Sequence, residues 1–434
     1  MRAMALADFD CGPGPGPGPG PGPGPGRRRG QVRRGQVRRG QVRWCLASAR
    51  QYWLDLYMDS QPGFDVAALD EWIGDRLPGR GLPLRAIRMG EGTGEANALY
   101  WLRRGENVWV LRRPPAVINA PGASDMNREW RILTALEGTS VPHPAPLLLG
   151  GPDGPLGTPF LIMARVDGFT PVGVLPAPYD NPRGRRDLAF ALVDALADLA
   201  GVPWRERGLD GLGRPEGFLD RQVSRWLRQL DGYRTRDIPG LDWLAGWLEA
   251  SRPCAQQPAL MHGDYSPYNV MASPRDTHRL AAVVDWDTGT IGDPLLDVGH
   301  LLARWTEPGE EPAIGVWDIE VREGLPSRAE LAARYADRTG ADLSALPYYQ
   351  ALALFKLAII LEGSVARRRA LRAPDAGDRA GMVDRLIRYA GLFARDERAA
   401  VRDERAAARD ERAAAREERA AAREERAAAP EAAR

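Results

Sequence analysis

Lysine is all but missing from this chain of 434 residues: among 59 basic residues Lys356 is the only one, so every other cationic role falls to arginine. Cysteine is scarce as well. Cys11, Cys45 and Cys254 form no Cys-x-x-Cys pair and have no histidines at metal-ligand spacing, which argues against a disulfide framework and a structural zinc site. That pattern fits a reducing, cytoplasmic setting. Long apolar runs are lacking too: Met1 to Asp10 has none of signal-peptide length, and the longest, Ala351 to Leu361, is interrupted by Lys356 and too short to span a bilayer. No membrane partner is expected. What remains, 44% hydrophobic and 27% charged, is enough to bury a core and reads as a soluble, two-lobed protein.

Charge is uneven. Residues 1–57 carry net +7 and residues 395–434 net zero, which leaves −6 for the stretch between them in a chain of net +1. A mildly acidic middle is not the footprint of a nucleic-acid binder, and no nucleic-acid partner is expected. The two ends are low in complexity. Gly12 to Gly26 alternates glycine and proline, and a proline at every second position removes half the backbone donors, so no helix or ladder can form. Arg28 to Val42 repeats Arg-Arg-Gly-Gln-Val three times, a basic stretch that could touch nucleic acid or anionic lipid but reads better as a translated DNA repeat. Met58 is then the expected start of the folded part. At the other end, Arg395 to Ala429 repeats heptads of the type Arg-Asp-Glu-Arg-Ala-Ala-Ala, whose consecutive alanines form no coiled-coil seam. A solvated helix without its own function is expected there, an oligomerisation stalk being the lesser alternative; monomer or homodimer stays undecided.

Between the ends, Asp65 can cap a helix carrying Ala68, Leu69, Trp72 and Ile73 at helical spacing. Three short strands follow, Leu82 to Met89, Ala98 to Leu102 and Asn107 to Arg112, joined by the glycine-rich turn Gly90 to Asn97 and the tight turn Arg103 to Glu106. A glycine-rich loop between strands does not fit the Rossmann or Walker context, which needs a helix next. It fits the flap over ATP phosphates in kinase-like folds, with Gly92 and Gly94 as backbone contacts; an ordinary glycine turn is the plain alternative. A helix is expected to begin near Ser124 or Asp125, with Met126, Trp130, Leu133 and Leu136 on one side. Glu129 beside them is a solvated flank residue or, in the sharper reading, the partner of Arg112 in the ion pair that holds the α- and β-phosphates. Phe160 to Val166 reads as a strand running into a hinge at Asp167-Gly168, after which the pattern turns helical.

The most informative segment is Leu260-Met-His-Gly-Asp-Tyr-Ser-Pro-Tyr-Asn-Val-Met271, followed by Leu280-Ala-Ala-Val-Val-Asp-Trp-Asp287. His262-x-Asp264 with Asn269 five residues on has the spacing of a kinase catalytic loop, where the aspartate orients and deprotonates the attacking hydroxyl and the asparagine reaches Mg²⁺. Asp285, ending the next strand, stands where the second metal ligand belongs. Phosphoryl transfer asks for this set because it needs little covalent help but does need cations on the phosphates and a carboxylate aligned with the nucleophile.

With these motifs the chain resembles the aminoglycoside phosphotransferase family, the small-molecule branch of the protein-kinase-like fold. The resemblance covers about Asp65 to Gly391 and is most specific at His262 to Asn269 and at Val284-Asp285-Trp-Asp-Thr-Gly-Thr-Ile-Gly-Asp293-Pro-Leu-Leu-Asp297. Val110-Leu-Arg-Arg-Pro-Pro115 and Leu212 to Trp226 are similar to a subgroup related to kinase-like modules fused to acyl-CoA dehydrogenases, in which hydroxylated acyl substrates are known. The resemblance implies an α+β fold with a small antiparallel-sheet N-lobe over 58–168, a larger mainly helical C-lobe over 169–394 and low-complexity tails. It implies ATP and Mg²⁺ as cofactors and a small-molecule hydroxyl acceptor. By position Asp264 is the catalytic base, Asn269 and Asp285 hold Mg²⁺, Arg112 with Glu129 holds phosphate, and His262, Asp293 and Asp297 support the loops. The departures are specific: Arg112 or Arg113 replaces the family's strand lysine, and Ser266 stands where a protein kinase has a lysine. Two other readings remain open. One is a nucleotide-binding pseudokinase or scaffold; the other is a metal-dependent phosphoesterase built on His262, Asp264, Asp285, Asp287 and His300, although His300 among Val298, Leu301 and Leu302 is more simply a core histidine.

Overall fold

A computed structural model describes residues 63–89, 98–114, 125–307, 319, 321–373, 375 and 377–395. The Gly-Pro and Arg-rich segment, the glycine-rich loop with Gly92 and Gly94, and all of the heptad tail beyond Arg395 lie outside them.

The first helix among the described residues is α1 (Val66–Ile73), whose first turn is capped by the Asp65 carboxylate accepting from the Ala67 and Ala68 amides. Next come β1 (Leu84–Arg88), β2 (Ala98–Arg104) and β3 (Asn107–Arg113), then α2 (Met126–Leu136), capped in the same way by Asp125, and β4 (Pro146–Gly150) and β5 (Phe160–Ala164). The five strands form one antiparallel sheet in the order β1-β2-β3-β5-β4. Both faces are covered, and the period-2 alternation of side chains sorts them. Phe160 and Ile162 join Trp109, Leu111, Leu69 and Ile73 in a small core under α1, whereas Leu161 and Met163 face the other way, into the large core that α2 shares. The same alternation puts Arg112 on the α2 side of β3. Arg113 points the other way, its guanidinium 5.4 Å from the Phe64 ring centroid and 5.7 Å from that of Tyr100.

Past β5 the chain passes Gly168, where a Cβ would lie 2.9 Å from the Ala272 carbonyl oxygen, and Phe169 bridges to Ala272. The second part is built on α3 (Pro182–Ala200), α4 (Gln222–Asp231), α5 (Leu241–Ala250), α6 (Leu295–Ala303), α7 (Arg328–Thr339), α8 (Leu346–Ala370) and α9 over residues 377–395. It is not wholly helical. Two short antiparallel pairs, β6 (Ala259–Met261) with β9 (Thr290–Gly292) and β7 (Val270–Ala272) with β8 (Leu280–Val283), carry the loops that hold His262 to Asn269 and Asp285. The apolar run expected to be too short for a membrane is the middle of α8, which has 25 residues and is long and apolar enough to cross one by length and composition. Its most apolar window is 72% buried inside the molecule, where α4, α5 and α6 pack around it.

Candidate active site

Strand β6 ends at Met261, and the next residues are fixed atom by atom. The Asp297 carboxylate, near the start of α6, accepts from the His262 amide at 2.6 Å and the Gly263 amide at 2.8 Å. His262 is fully buried, and its Nε2 lies 2.9 Å from the Val284 carbonyl; since that oxygen can only accept, Nε2 carries the proton, leaving Nδ1 to accept from the Asp264 amide at 3.3 Å. Gly263 has φ +81°, and a Cβ there would come within 2.6 Å of the Thr288 carbonyl oxygen, so this turn requires glycine. The result is a rigid stem that presents Asp264, with 14% of its side chain exposed. The Asn269 carboxamide donates to both the Asp264 carbonyl at 2.8 Å and its Oδ2 at 3.2 Å, while Tyr265 ties the loop to α3 through the Leu192 carbonyl at 2.8 Å.

The second loop leaves β8 two residues before Asp285, which takes the left-handed conformation at φ 68°, a position Asp tolerates better than most residues. The loops are joined where the Val284 amide donates to the Asn269 carbonyl at 2.9 Å. Arg112 reaches in from β3. Its Nε lies 3.0 Å from Glu129 Oε2, and one terminal nitrogen lies 2.6 Å from Asp285 Oδ1 and 2.9 Å from Asp287 Oδ1. Arg112 is 6% exposed and Glu129 only 2%, so Glu129 is not a solvated flank residue. Burial opposes the guanidinium's charge, but Glu129, Asp285 and Asp287 outweigh it and the pKa is raised. Burial pushes Glu129 up to about 7 against the pull of Arg112, with Asp287 and Asp285 adding to the rise. At Asp285 burial is overcome by the Arg112 charge and hydrogen bond, and the carboxyl is held below its ordinary range.

Three further groups adjoin the site, of which the sequence had offered only His300, as a phosphoesterase ligand or a core histidine. His300 is 3% exposed, as a core histidine would be, yet its Nε2 lies 3.3 Å from Asp264 Oδ1 and 3.2 Å from Arg304 Nη1. Burial first, then Arg304, Lys356 and His262, hold its pKa well below normal, so the ring is neutral; Nε2 can donate to Asp264 or accept from Arg304, not both. Lys356 of α8 is buried and donates to the Gly263 carbonyl. Arg128 of α2 ties the two parts together through the Leu212 carbonyl at 3.0 Å and the Gly289 carbonyl at 2.8 Å. A signal existed for the first group: Asp297, His300 and Arg304 fall three and four residues apart, a polar stripe on an otherwise apolar helix. The remaining supporting residue, Asp293, accepts from the Gln256 and Leu295 amides and from the Tyr349 hydroxyl, which fixes the start of α6.

The donor set suits Mg²⁺, a hard cation that uses one or two carboxylates plus phosphate oxygens rather than a protein cage. Asn269 spends its NH₂ group on Asp264 and keeps its carbonyl oxygen, and Asp285 gives one oxygen to Arg112 and keeps the other. The five residues of the phosphoesterase reading are not gathered in this way. Among the described residues no group of three or more His, Cys, Asp or Glu side chains is placed to hold a metal ion.

Residues 92–355 match the model of the phosphotransferase enzyme family. Acyl-CoA dehydrogenase family member 11 of Rattus norvegicus is 33% identical over 319 residues, covering 71% of this chain and 40% of the relative, so the chain spans less than half the length of that protein. Viomycin phosphotransferase of Streptomyces vinaceus is 29% identical over 227 residues, covering 48% of this chain and 72% of that enzyme. Among solved structures, a Ralstonia eutropha protein assigned to the aminoglycoside phosphotransferases superposes with a TM-score of 0.63 at 28% identity, covering 76% of this chain and 99% of that one. Choline kinase from Cryptosporidium parvum, at 11% identity with a TM-score of 0.52 over 77% of this chain and 96% of that one, shares the fold.

Proposed function

The chain belongs to the phosphotransferase enzyme family, kinase-like enzymes acting on hydroxyl acceptors, and from that premise we propose that it moves the γ-phosphoryl group of ATP to a small hydroxylated acid or its acyl thioester. The observation that carries this reading is the pair of carboxylates on adjoining loops, Asp264 held by Asn269 and Asp285 held by Arg112. In the proposed reaction Asp264 accepts the proton of the acceptor hydroxyl while that oxygen bonds to the γ-phosphorus. The phosphorus–bridging oxygen bond breaks, and its electron pair leaves with ADP. Mg²⁺, when bound, neutralises phosphate charge; Asn269 and Asp285 are the residues that would hold it, and Arg112, oriented by Glu129, would face the α- and β-phosphates.

The acceptor class rests on charge and on likeness. Beside Asp264 stand Arg304 and Lys356, with Arg225 near Lys356 and Arg128 and Arg221 in turn near Arg225. Such a surround suits an anionic acceptor and opposes a polycation. The similarity to acyl-CoA dehydrogenase family member 11 points the same way. A second reading, nucleotide binding without turnover, is favoured by one observation, the contact of Arg112 with the proposed metal ligand Asp285. ATP consumption with the purified chain separates the two. Hydroxy acids and their CoA thioesters should yield ADP and phosphorylated acceptor in equal amounts; ATP binding without turnover across the panel, or phosphorylation of aminoglycosides alone, would refute the proposal.

A further inference from the structure

Lys356 is the chain's only lysine, and it is 7% exposed in the middle of an apolar helix, directly after Phe355 and two residues before Ala358, both fully buried. An ammonium ion is costly to bury, and a chain this rich in arginine has spent its one lysine there. Its Nζ donates to the carbonyl of Gly263, the peptide group that leads directly into Asp264. Asp297 holds the two preceding amides, so the stem is gripped from both sides: its N–H groups by α6 and its carbonyl by α8. The ammonium also stands 5.6 Å from the Trp226 ring centroid. Burial lowers its pKa, Asp264 and Asp297 oppose that, and Arg225 adds to it. The loop His262 to Asn269 contains no lysine or arginine of its own.

We propose that Lys356 is a positioning residue for phosphoryl transfer: from α8 it fixes the Gly263 carbonyl, sets the direction of the Asp264 carboxylate, and supplies a fixed positive charge beside it. This rests on the reading of Asp264 as the base. Lys356 neither gives nor takes a proton in the step, and no bond to it changes. Its contribution is preorganisation, which costs nothing at the moment of reaction.

The test uses the full chain with Lys356→Met, Lys356→Arg, Asp264→Asn and the double variant Lys356→Met/Asp264→Asn. Lys356→Met should lower kcat by roughly 10- to 100-fold, the scale of a misdirected catalytic group, with Mg·ATP affinity within twofold of the parent. Lys356→Arg, which keeps the charge and a donor, should recover most of kcat. In the Asp264→Asn background the methionine should cost nothing further, because the two residues act as one unit. Full activity of Lys356→Met beside an inactive Asp264→Asn would overturn this inference alone, whereas an active Asp264→Asn would overturn the underlying reading. Should the methionine variant fail to fold, lysine labelled with ¹³C at Cε gives a single side-chain resonance in this chain. That resonance should move on Asp264→Asn; an unmoved one contradicts the proposal.

Discussion

Arg112 neutralises three carboxylates at once, and that sets what its loss should do. Arg112→Ala should weaken Mg·ATP binding by about 1.5–3 kcal/mol, the value of a charge-assisted contact. It should also destabilise the fold by about 3–5 kcal/mol, because Glu129, Asp285 and Asp287 are left facing one another without their cation. Arg113→Ala, on the opposite face of β3, removes contacts with Phe64 and Tyr100 and should leave ATP affinity unchanged. Calorimetry with urea unfolding checks both; equal losses of affinity at the two positions would contradict the assignment. The proximity of Arg112 and Glu129 was legible in the sequence only as the sharper of two readings, by likeness to the ion pair of a kinase. The grip of Arg112 on Asp285 and Asp287 was not, since those contacts join residues 173 or more positions apart and depend on how two loops fold back against the sheet. Glu129 was ambiguous for a related reason, since a helix pattern shows which side a residue takes but not what covers that side.

Helix α6 works as a frame, carrying Asp297, His300 and Arg304 toward the loop while Gly299 presses against α8. A Cβ at Gly299 would come within 2.6 Å of the Tyr349 backbone, so Gly299→Ala must push the two helices apart. Overpacking of this kind costs about 1–3 kcal/mol, and because α8 also carries Lys356, kcat should fall along with the melting temperature. Unchanged kcat in a destabilised variant would show that the frame and the base are independent. Helix α7 offers a separate check. Ser327 and Glu330 form a capping box, and Glu330 also pairs with Arg186. Ser327→Ala should cost about 1 kcal/mol in a chemical unfolding experiment. The Arg186 and Ser327 hydrogen bonds hold the Glu330 carboxyl down at about 2 from its ordinary 4.5. A lowered acid contributes stability above its unfolded pKa and loses it as pH falls, so any difference between the parent and Glu330→Gln should vanish as pH drops from about 4.5 to about 2. Melting curves across that range test the sign. Long amphipathic elements such as α2 and α3 were readable from their spacing. The three-residue strands β6, β7 and β9 were not, being too short to show any period, and their pairing is fixed only by the tertiary fold.

For the molecule as a whole, the small core under α1 and the large core meet through the sheet, whose two faces belong one to each. Residues 58–394 contain both cores, so a chain cut to that span should unfold cooperatively and keep its nucleotide affinity; loss of the cooperative transition would show that the repeats contribute to folding. The kinase-like plan was legible from His262, Asp264, Asn269 and Asp285, because the chemistry fixes their spacing. The cations beside Asp264, Arg304 just past α6 and Lys356 on α8, are linked by no local motif. In the proposed reaction Asp285 and Asp264 have opposite duties. Asp285→Asn should lower turnover and weaken the magnesium dependence of nucleotide binding, as loss of a metal ligand would. The measurement that bears most directly on the central claim is turnover and Mg·ATP affinity of Asp264→Asn, taken together on the full chain. The account predicts that kcat falls at least ~100-fold while Mg·ATP affinity stays within twofold of the parent. An Asp264→Asn protein that no longer binds Mg·ATP, or that transfers phosphate at the parent rate, would contradict it.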